Sequence, residues 1–239
     1  MLLAASGCGG GAADATDTVT VLAAASLTEG FTQIADAFEQ ANPGVRVVIS
    51  FGPSSGLVSQ VIEGAAADVL ATANESTMAA AVGAGVVGAP RVFATNALAI
   101  AVPASNPAGI TDMAGLAAPG VLVAVCEPQV PCGVAAEQVI AASGLAIEPV
   151  TYEIDVKSVL SKVVLDEVDA GFVYATDIAA AGADVVEVAI PADSEVSVAY
   201  PIAVLAEPEQ PEMAKAFVDF VLGEQGQGIL AGFGFGSRP

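Results

Sequence analysis

The sequence predicts an α/β fold, in which strands and helices alternate along the chain and pack in layers. Short apolar runs typical of strands alternate with amphipathic patterns typical of helices from residue 19 onward. Turn-forming residues such as Asn42-Pro43-Gly44 separate these patterns. The chain has 239 residues, of which 54% are hydrophobic, so it is long enough to bury one large core or two modest ones.

The first third of the chain contains two junctions at which a strand runs into serines at the start of a helix. In the first junction, the strand that begins at Val19 leads to Ser26, and a helix over 28–41 follows. In the second, the strand that begins at Val45 leads to Ser54. The pattern then predicts a helix over 54–63, a strand over 68–71 and a helix over 74–82.

The rest of the chain continues the alternation and contains two stretches that we expect to connect separate lobes. The apolar stretch over 91–103 is predicted to carry the chain from one lobe to the other. The strand over 196–205, which contains Tyr200-Pro201, is predicted to return it. The other elements predicted here are a strand over 121–125, a helix that opens after Gly133, a strand over about 149–154, a helix over 156–166, a strand over 170–174 and a helix over 208–222.

The charge balance restricts both the partners and the chemistry. Six lysines and arginines stand against 27 aspartates and glutamates, and the net charge of −21 disfavours nucleic acid and anionic membrane surfaces as partners. Because the chain has no histidine, it cannot build a Ser-His-Asp or Cys-His nucleophile. Activation by Lys157, Lys162 or Lys215 stays formally open, but none stands in an S-x-x-K pattern. We therefore expect a protein that is not an enzyme.

The N-terminal segment resembles the lipobox of bacterial lipoproteins. A short apolar run over 2–7 ends in small residues before Cys8, which in lipoproteins carries the lipid. The usual basic region is absent, so residues 1–17 are interpreted as a truncated lipoprotein signal and a glycine-rich tether. The alternative is a chance run of small residues. We expect export to the periplasm or the outer face of the cell membrane, with membrane contact through a lipid anchor at most.

Two further cysteines, Cys126 and Cys132, stand six positions apart around two prolines. In an exported chain this arrangement predicts a local disulfide. A redox pair is less favoured because the C-x-x-C spacing is missing. A metal site is also less favoured, because it would have two ligands and no histidine.

Both serine junctions are typical of an anion site, because a helix N-terminus carries unpaired N–H groups and the positive end of the helix dipole. Taken singly, Ser26 and Ser54 are explained as well by plain N-capping. Three later positions also place donors at element ends: the helix start at Cys132, the helix start after Asp155, and Tyr174 at the end of a strand. We expect Asp155 to cap its helix, and Tyr174 taken alone is more typical of a half-buried core tyrosine with a satisfied hydroxyl.

Taken in order, six stretches resemble the periplasmic molybdate-binding proteins of ABC importers, over nearly the whole chain from Thr18. The stretches are 23–27, 51–57, 64–69, 128–133, 155–156 and 171–174. The resemblance implies a two-lobe periplasmic binding protein fold of type II with the ligand in the cleft between the lobes. It places lobe 1 at 18–98 plus 202–239 and lobe 2 at 99–201.

The resemblance also implies a ligand and the residues that bind it. A molybdate or tungstate dianion is expected to be held by hydroxyls and backbone amides, with no cofactor and no direct metal ligand. Ser26 and Ser54 would each offer a hydroxyl and an amide, Tyr174 its phenol, and Cys132 and Val156 their backbone N–H groups. A monomer of this kind captures the anion and delivers it to a membrane ABC permease.

A pocket that only donates hydrogen bonds favours an anion that carries no proton, because a protonated phosphate would turn its proton toward other donors. Sulfate escapes this argument, and molybdate and tungstate are not separated by it. The alternatives left open are a binding protein for another ligand such as sulfate or a ferric complex, an enzyme on the same fold, and an acidic docking module. Tyr152 and Tyr200 lie in none of the six stretches and are predicted not to bind the ligand.

Overall fold

The computed structural model describes residues 17–238, so Cys8 and the tether that the sequence predicts lie outside the described residues. The strands are β1 (Asp17–Ala24), β2 (Val45–Gly52), β3 (Val69–Ala71), β4 (Arg91–Pro103), β5 (Val123–Cys126), β6 (Thr151–Glu153), β7 (Ala170–Tyr174), β8 (Val185–Val188) and β9 (Ser197–Val204). The α-helices are α1 (Thr28–Ala41), α2 (Ser54–Ile62), α3 (Glu75–Gly83), α4 (Pro131–Ser143), α5 (Val156–Val164), α6 (Ala175–Ala181), α7 (Pro211–Leu222) and α8 (Glu224–Gly232).

Within residues 17–238 the strands form one nine-stranded sheet in the order β2-β1-β3-β9-β4-β7-β5-β6, with β8 paired to β4. The long strand β4 joins the two halves of this sheet. Its first part, Arg91 to Ala97, pairs antiparallel with β9, whereas its second part pairs with β7 and β8. The chain therefore passes from one half to the other along β4, as the sequence pattern predicts for 91–103. It comes back before β9, which pairs only with β3 and with the first part of β4.

The hydrophobic core divides in the same way. One half of the sheet is covered on both faces, because alternate residues of β1 point to opposite sides. Val21 packs into a core rich in phenylalanine, where Phe38 and Phe217 meet edge to face at 5.4 Å, whereas Leu22 packs into a smaller cluster with Met78. The other half has a separate core built around Ile100 and other residues between Leu98 and Val188.

Most predicted elements are present, with ends that differ by a few residues. The helix predicted over 156–166 ends at Val164, because Asp166 adopts a positive φ of 55° and turns the chain. Three elements had no prediction, namely α6, β8 and α8. Helix α6 is mostly alanine and lacks an apolar stripe of larger side chains, which is the pattern that predicts a helix. Among the described residues, no helix is both long and apolar enough to span a membrane.

Candidate anion-binding site

A small cavity lies where helix N-termini from the two halves of the molecule converge. Its volume is about 20 Å³, which is enough for one small group. The five residues predicted to bind the ligand all line it and are all buried: Ser26, Ser54, Cys132, Val156 and Tyr174. The other lining residues are Ala24, Ala25, Gly52, Pro53, Ala73, Val130, Pro131 and Asp155.

Three of the five residues stand in the first turn of a helix. Ser54 is the first residue of α2, Val156 is the first of α5, and Cys132 follows Pro131 at the start of α4. The N–H groups of a first turn have no partner inside their own helix, and each helix adds the positive end of its dipole. Ser26 lies in a short 3₁₀ turn, Ala25–Leu27, that leads into α1. The cavity wall therefore presents N–H donors and the positive ends of helix dipoles, and none of its lining residues is cationic.

Neither serine is an N-cap, so the plain capping alternative is wrong for both. The N-cap of α1 is Leu27 and that of α2 is Pro53, and neither makes a side-chain capping bond. Instead, the Ser54 Oγ accepts a hydrogen bond of 3.1 Å from the backbone N–H of Ala73. Its own proton is therefore left to donate into the cavity. Asp155, by contrast, caps α5 as predicted by accepting from the Ser158 N–H at 2.8 Å.

Ser26 is held by residues that the sequence analysis did not assign to the site. Its Oγ lies 2.9 Å from the hydroxyl of Tyr200, which also accepts a 3.4 Å hydrogen bond from the Asn96 side-chain amide. The same amide donates to the Thr176 Oγ1 at 2.8 Å. All four side chains are buried. One signal in the sequence marks this network, because Asn96, with Thr95 before it, interrupts the apolar stretch over 91–103.

Tyr174 presents a hydroxyl that lacks a hydrogen-bond partner within residues 17–238, although the residue is only 1% exposed. Its ring stands edge-on to that of Tyr200, with centroids 6.0 Å apart. Burial raises the pKa of the Tyr174 phenol well above its usual value, so the group stays protonated. An unpartnered, buried donor in a cavity wall costs free energy until a ligand accepts from it. Tyr174 is therefore suited to donate to an anion.

A group of three charges, of which Asp177 is buried and Lys157 and Glu29 are partly exposed, joins elements from the two sides of the cavity. The Lys157 Nζ, one position after Val156, lies 2.8 Å from Glu29 of α1 and 3.1 Å from Asp177 of α6. Burial raises the pKa of Asp177 to about 6, although Lys157 opposes the shift. Burial lowers the pKa of Lys157, but the carboxylates of Asp177 and Glu29 outweigh it and leave that pKa raised. Asp177 also accepts a 3.0 Å bond from the Tyr174 N–H, so this group positions the end of β7.

The predicted disulfide is present and shapes one wall of the cavity. It joins Cys126 at the end of β5 to Cys132 in the first turn of α4. The turn between them is tight, because a Cβ on Gly133 would stand 2.0 Å from the carbonyl oxygen of Glu127. Glycine is therefore required where α4 begins, and the bridge holds the Cys132 amide at the cavity. Among the described residues, no group of three or more His, Cys, Asp or Glu side chains could hold a metal ion.

A family model described as bacterial extracellular solute-binding protein matches residues 19–236. The chain belongs to this family. Among the relatives of this solute-binding protein is the molybdate-binding protein ModA of Mycobacterium tuberculosis, which is 42% identical over 219 residues, or 91% of this chain and 84% of that protein. ModA of Escherichia coli is 32% identical over 230 residues, or 91% and 88% of the two chains.

Solved structures similar to this solute-binding protein share its two-lobe, type II periplasmic binding fold. The periplasmic molybdate-binding protein of Azotobacter vinelandii has a TM-score of 0.81 at 24% identity and covers 92% of this chain and 100% of its own. The sulfate-binding protein SubI of M. tuberculosis has a TM-score of 0.82 at 24% identity, with 92% and 86% covered. At this identity the two structures support the fold and do not choose between the anions.

Proposed function

We propose that this chain is an extracytoplasmic binding protein that captures molybdate or tungstate and delivers it to an ABC permease. The observation that carries the proposal is the cavity itself, where two serine hydroxyls, a phenol and first-turn amides converge without a charged ligand. The molybdate-binding proteins among its relatives, up to 42% identical, support the same ligand. Molybdate and tungstate are close in size and equal in charge, so both stay within the proposal.

In this proposal Ser26 and Ser54 each donate a hydroxyl and an amide, and Tyr174 donates its phenol. Cys132 and Val156 donate backbone N–H groups. Seven such charge-assisted hydrogen bonds, from five residues, replace the hydration of a tetrahedral dianion. The anion is bound through its oxygens, and molybdenum has no direct protein ligand.

We propose lobe boundaries at 18–98 plus 202–239 and at 99–201. The separate hydrophobic cores support them, because one core draws on residues on either side of the other in sequence. Ser26 and Ser54 then belong to lobe 1, and Cys132, Val156 and Tyr174 to lobe 2. A ligand that binds residues of both lobes stabilises their closed arrangement.

The site supports binding rather than catalysis. The relatives are transport proteins, and the chain has no histidine that could serve as a general base beside either serine. The disulfide uses both cysteines near the cavity, which leaves neither as a nucleophile. We propose a monomer that is exported and anchored by lipid at Cys8, a residue outside the described part of the chain.

Calorimetric titration of the purified chain with molybdate, tungstate, sulfate and phosphate tests the proposal. We expect strong, 1:1 binding of molybdate and tungstate, with sulfate weaker and phosphate weakest. No heat with molybdate or tungstate at micromolar protein would refute the assignment. Tighter binding of sulfate than of molybdate and tungstate would make sulfate the ligand.

A double variant tests the residues. Ser26→Ala with Ser54→Ala removes two hydroxyl donors and little packing volume. We expect anion binding to disappear while the fold is retained. Ser59→Ala on the exposed side of α2 is the matched control, because its hydroxyl bonds only to the Ser55 carbonyl of its own helix. Retained affinity in the double variant would count against both serines.

A further inference from the structure

A chain of buried hydrogen bonds lies behind Ser26, and its first link has a defined direction. It starts at the side-chain amide of Asn96, whose Oδ1 accepts from the Ala97 N–H at 3.0 Å. Because that bond needs the amide oxygen on the side of Ala97, the Nδ2 is the end of the amide that points to Tyr200 and Thr176. Asn96 therefore acts as a donor toward the Tyr200 oxygen.

The direction at Asn96 favours one direction at the next link. The Ser26 Oγ lies 2.9 Å from the Tyr200 hydroxyl, and either oxygen could donate. Because Asn96 already donates to one lone pair of the Tyr200 oxygen, the arrangement favours Tyr200 as the donor to Ser26. Burial raises the pKa of Tyr200 above its usual value, so its proton is retained at neutral pH. With Tyr200 donating to it, the Ser26 hydroxyl turns its own proton toward the cavity.

We propose that Tyr200 and Asn96 are specificity-determining positioning residues, which hold Ser26 as a donor and so exclude anions that carry a proton. The inference rests on the proposed function, since it concerns how the same cavity chooses among oxyanions. The second serine reaches the same state by other means, because the Ala73 N–H occupies the Ser54 oxygen. A hydroxyl that is free to rotate can accept a hydrogen bond from a protonated ligand. In these two serines a protein donor already occupies one lone pair, which orients the hydroxyl to donate to the ligand instead.

Tyr200→Phe is the variant that tests the inference. The ring stays, and with it the edge-to-face contacts with Phe93, Tyr174 and Phe235 at 5.5–6.2 Å. The variant removes the donor to Ser26 and the 3.4 Å acceptor for Asn96, whose amide keeps its 2.8 Å bond to Thr176. The Ser26 hydroxyl then becomes free to accept. Sulfate and phosphate make a matched pair of probes, because they are similar in size but only phosphate carries a proton at pH 7.

The measurement is the ratio of the phosphate and sulfate dissociation constants, obtained by displacement of bound molybdate at pH 7. We expect this ratio to fall by about tenfold in Tyr200→Phe, the equivalent of one hydrogen bond of about 1.4 kcal/mol. A structural role would weaken both anions equally and leave the ratio unchanged. An unchanged ratio, or phosphate binding that stays unmeasurable, overturns the inference.

Asn96→Leu provides a second variant in case Tyr200→Phe does not fold. It removes the donor to Tyr200, so the bond between Tyr200 and Ser26 can run in either direction. We expect the ratio to fall here as well, by less than in Tyr200→Phe, and an unchanged ratio in this variant also overturns the inference. Failure of the wild-type chain to bind molybdate or tungstate contradicts the proposed function instead, so the two failures are distinguishable.

Discussion

Replacing Tyr174 by phenylalanine should weaken anion binding and stabilise the free protein. The phenol is 1% exposed, and its oxygen lacks a hydrogen-bond partner among residues 17–238. Removing a buried hydroxyl that has a hydrogen-bond partner lowers the free energy of unfolding by about 1 kcal/mol. A buried hydroxyl without a partner instead lowers the free energy of unfolding by about 1–3 kcal/mol for as long as it is present. Tyr174→Phe therefore raises the free energy of unfolding by about 1 kcal/mol or more.

The same substitution removes one hydrogen bond to a charged ligand, which contributes about 1.5–3 kcal/mol. The dissociation constant for molybdate should rise by about 10- to 150-fold. Urea unfolding without ligand gives the stability, and calorimetry gives the affinity. Tyr152→Phe is the control, because Tyr152 is 53% exposed and both quantities should stay constant. A Tyr174→Phe protein that loses stability and keeps its affinity would refute the reasoning.

Three further outcomes follow from the groups around the cavity. Lys157→Met breaks an ion pair with the fully buried Asp177, and the free energy of unfolding should fall by about 1–3 kcal/mol. This loss is less than for a fully buried pair. The control Lys215→Met, at an exposed lysine, should have almost no effect. Cys126→Ser with Cys132→Ser opens a short ring, which should cost about 2 kcal/mol in thermal or urea unfolding and weaken molybdate binding. The folded-state pKa of Asp177, about 6, lies above its ordinary 3.8. Protonation of Asp177 therefore stabilises the fold, fully below about pH 4, and this contribution is lost as the pH rises through 6. Relative to Asp177→Asn, the wild type should therefore lose up to about 3 kcal/mol between pH 4 and pH 7, and equal pH profiles would contradict this.

The strands, turns and helix starts around the site could be predicted from the sequence, because each depends on residues that are adjacent in the chain. The two strand–serine–helix junctions are contiguous in sequence, so their strands, turns and helix starts could be recognised there. The length of the stretch over 91–103 was enough to predict a crossing, and β4 extends over Arg91–Pro103. The helix starts at Cys132 and Val156 were predicted from proline, glycine and the capping Asp155.

The residues that support the site could not be predicted in this way, because their partners are remote in sequence. Tyr200 contacts Ser26 across 174 positions and Asn96 across 104. Lys157 reaches Glu29 across 128 positions. The sequence pattern placed Tyr200 correctly in a strand, but nothing near it indicates which hydroxyl it will meet. The pairing of β9 with β4 brings Tyr200 to Asn96, and the strand order β1-β3-β9 brings it to the turn after β1 that holds Ser26.

The strongly acidic composition makes the direction of each hydrogen bond more important. A net charge of −21 repels a dianion at a distance, but salt screens that repulsion beyond about 10 Å, so it affects the approach of the anion more than its retention. Lys157 does not offset the repulsion at the site, because Glu29 and Asp177 together carry more charge than it does. Retention must then come from dipoles at contact distance, and one hydroxyl turned the wrong way would place a lone pair against the anion. The bond from Ala73 to Ser54 and the donation that we propose from Tyr200 to Ser26 prevent this, which is why side chains that need not touch the ligand matter for binding it.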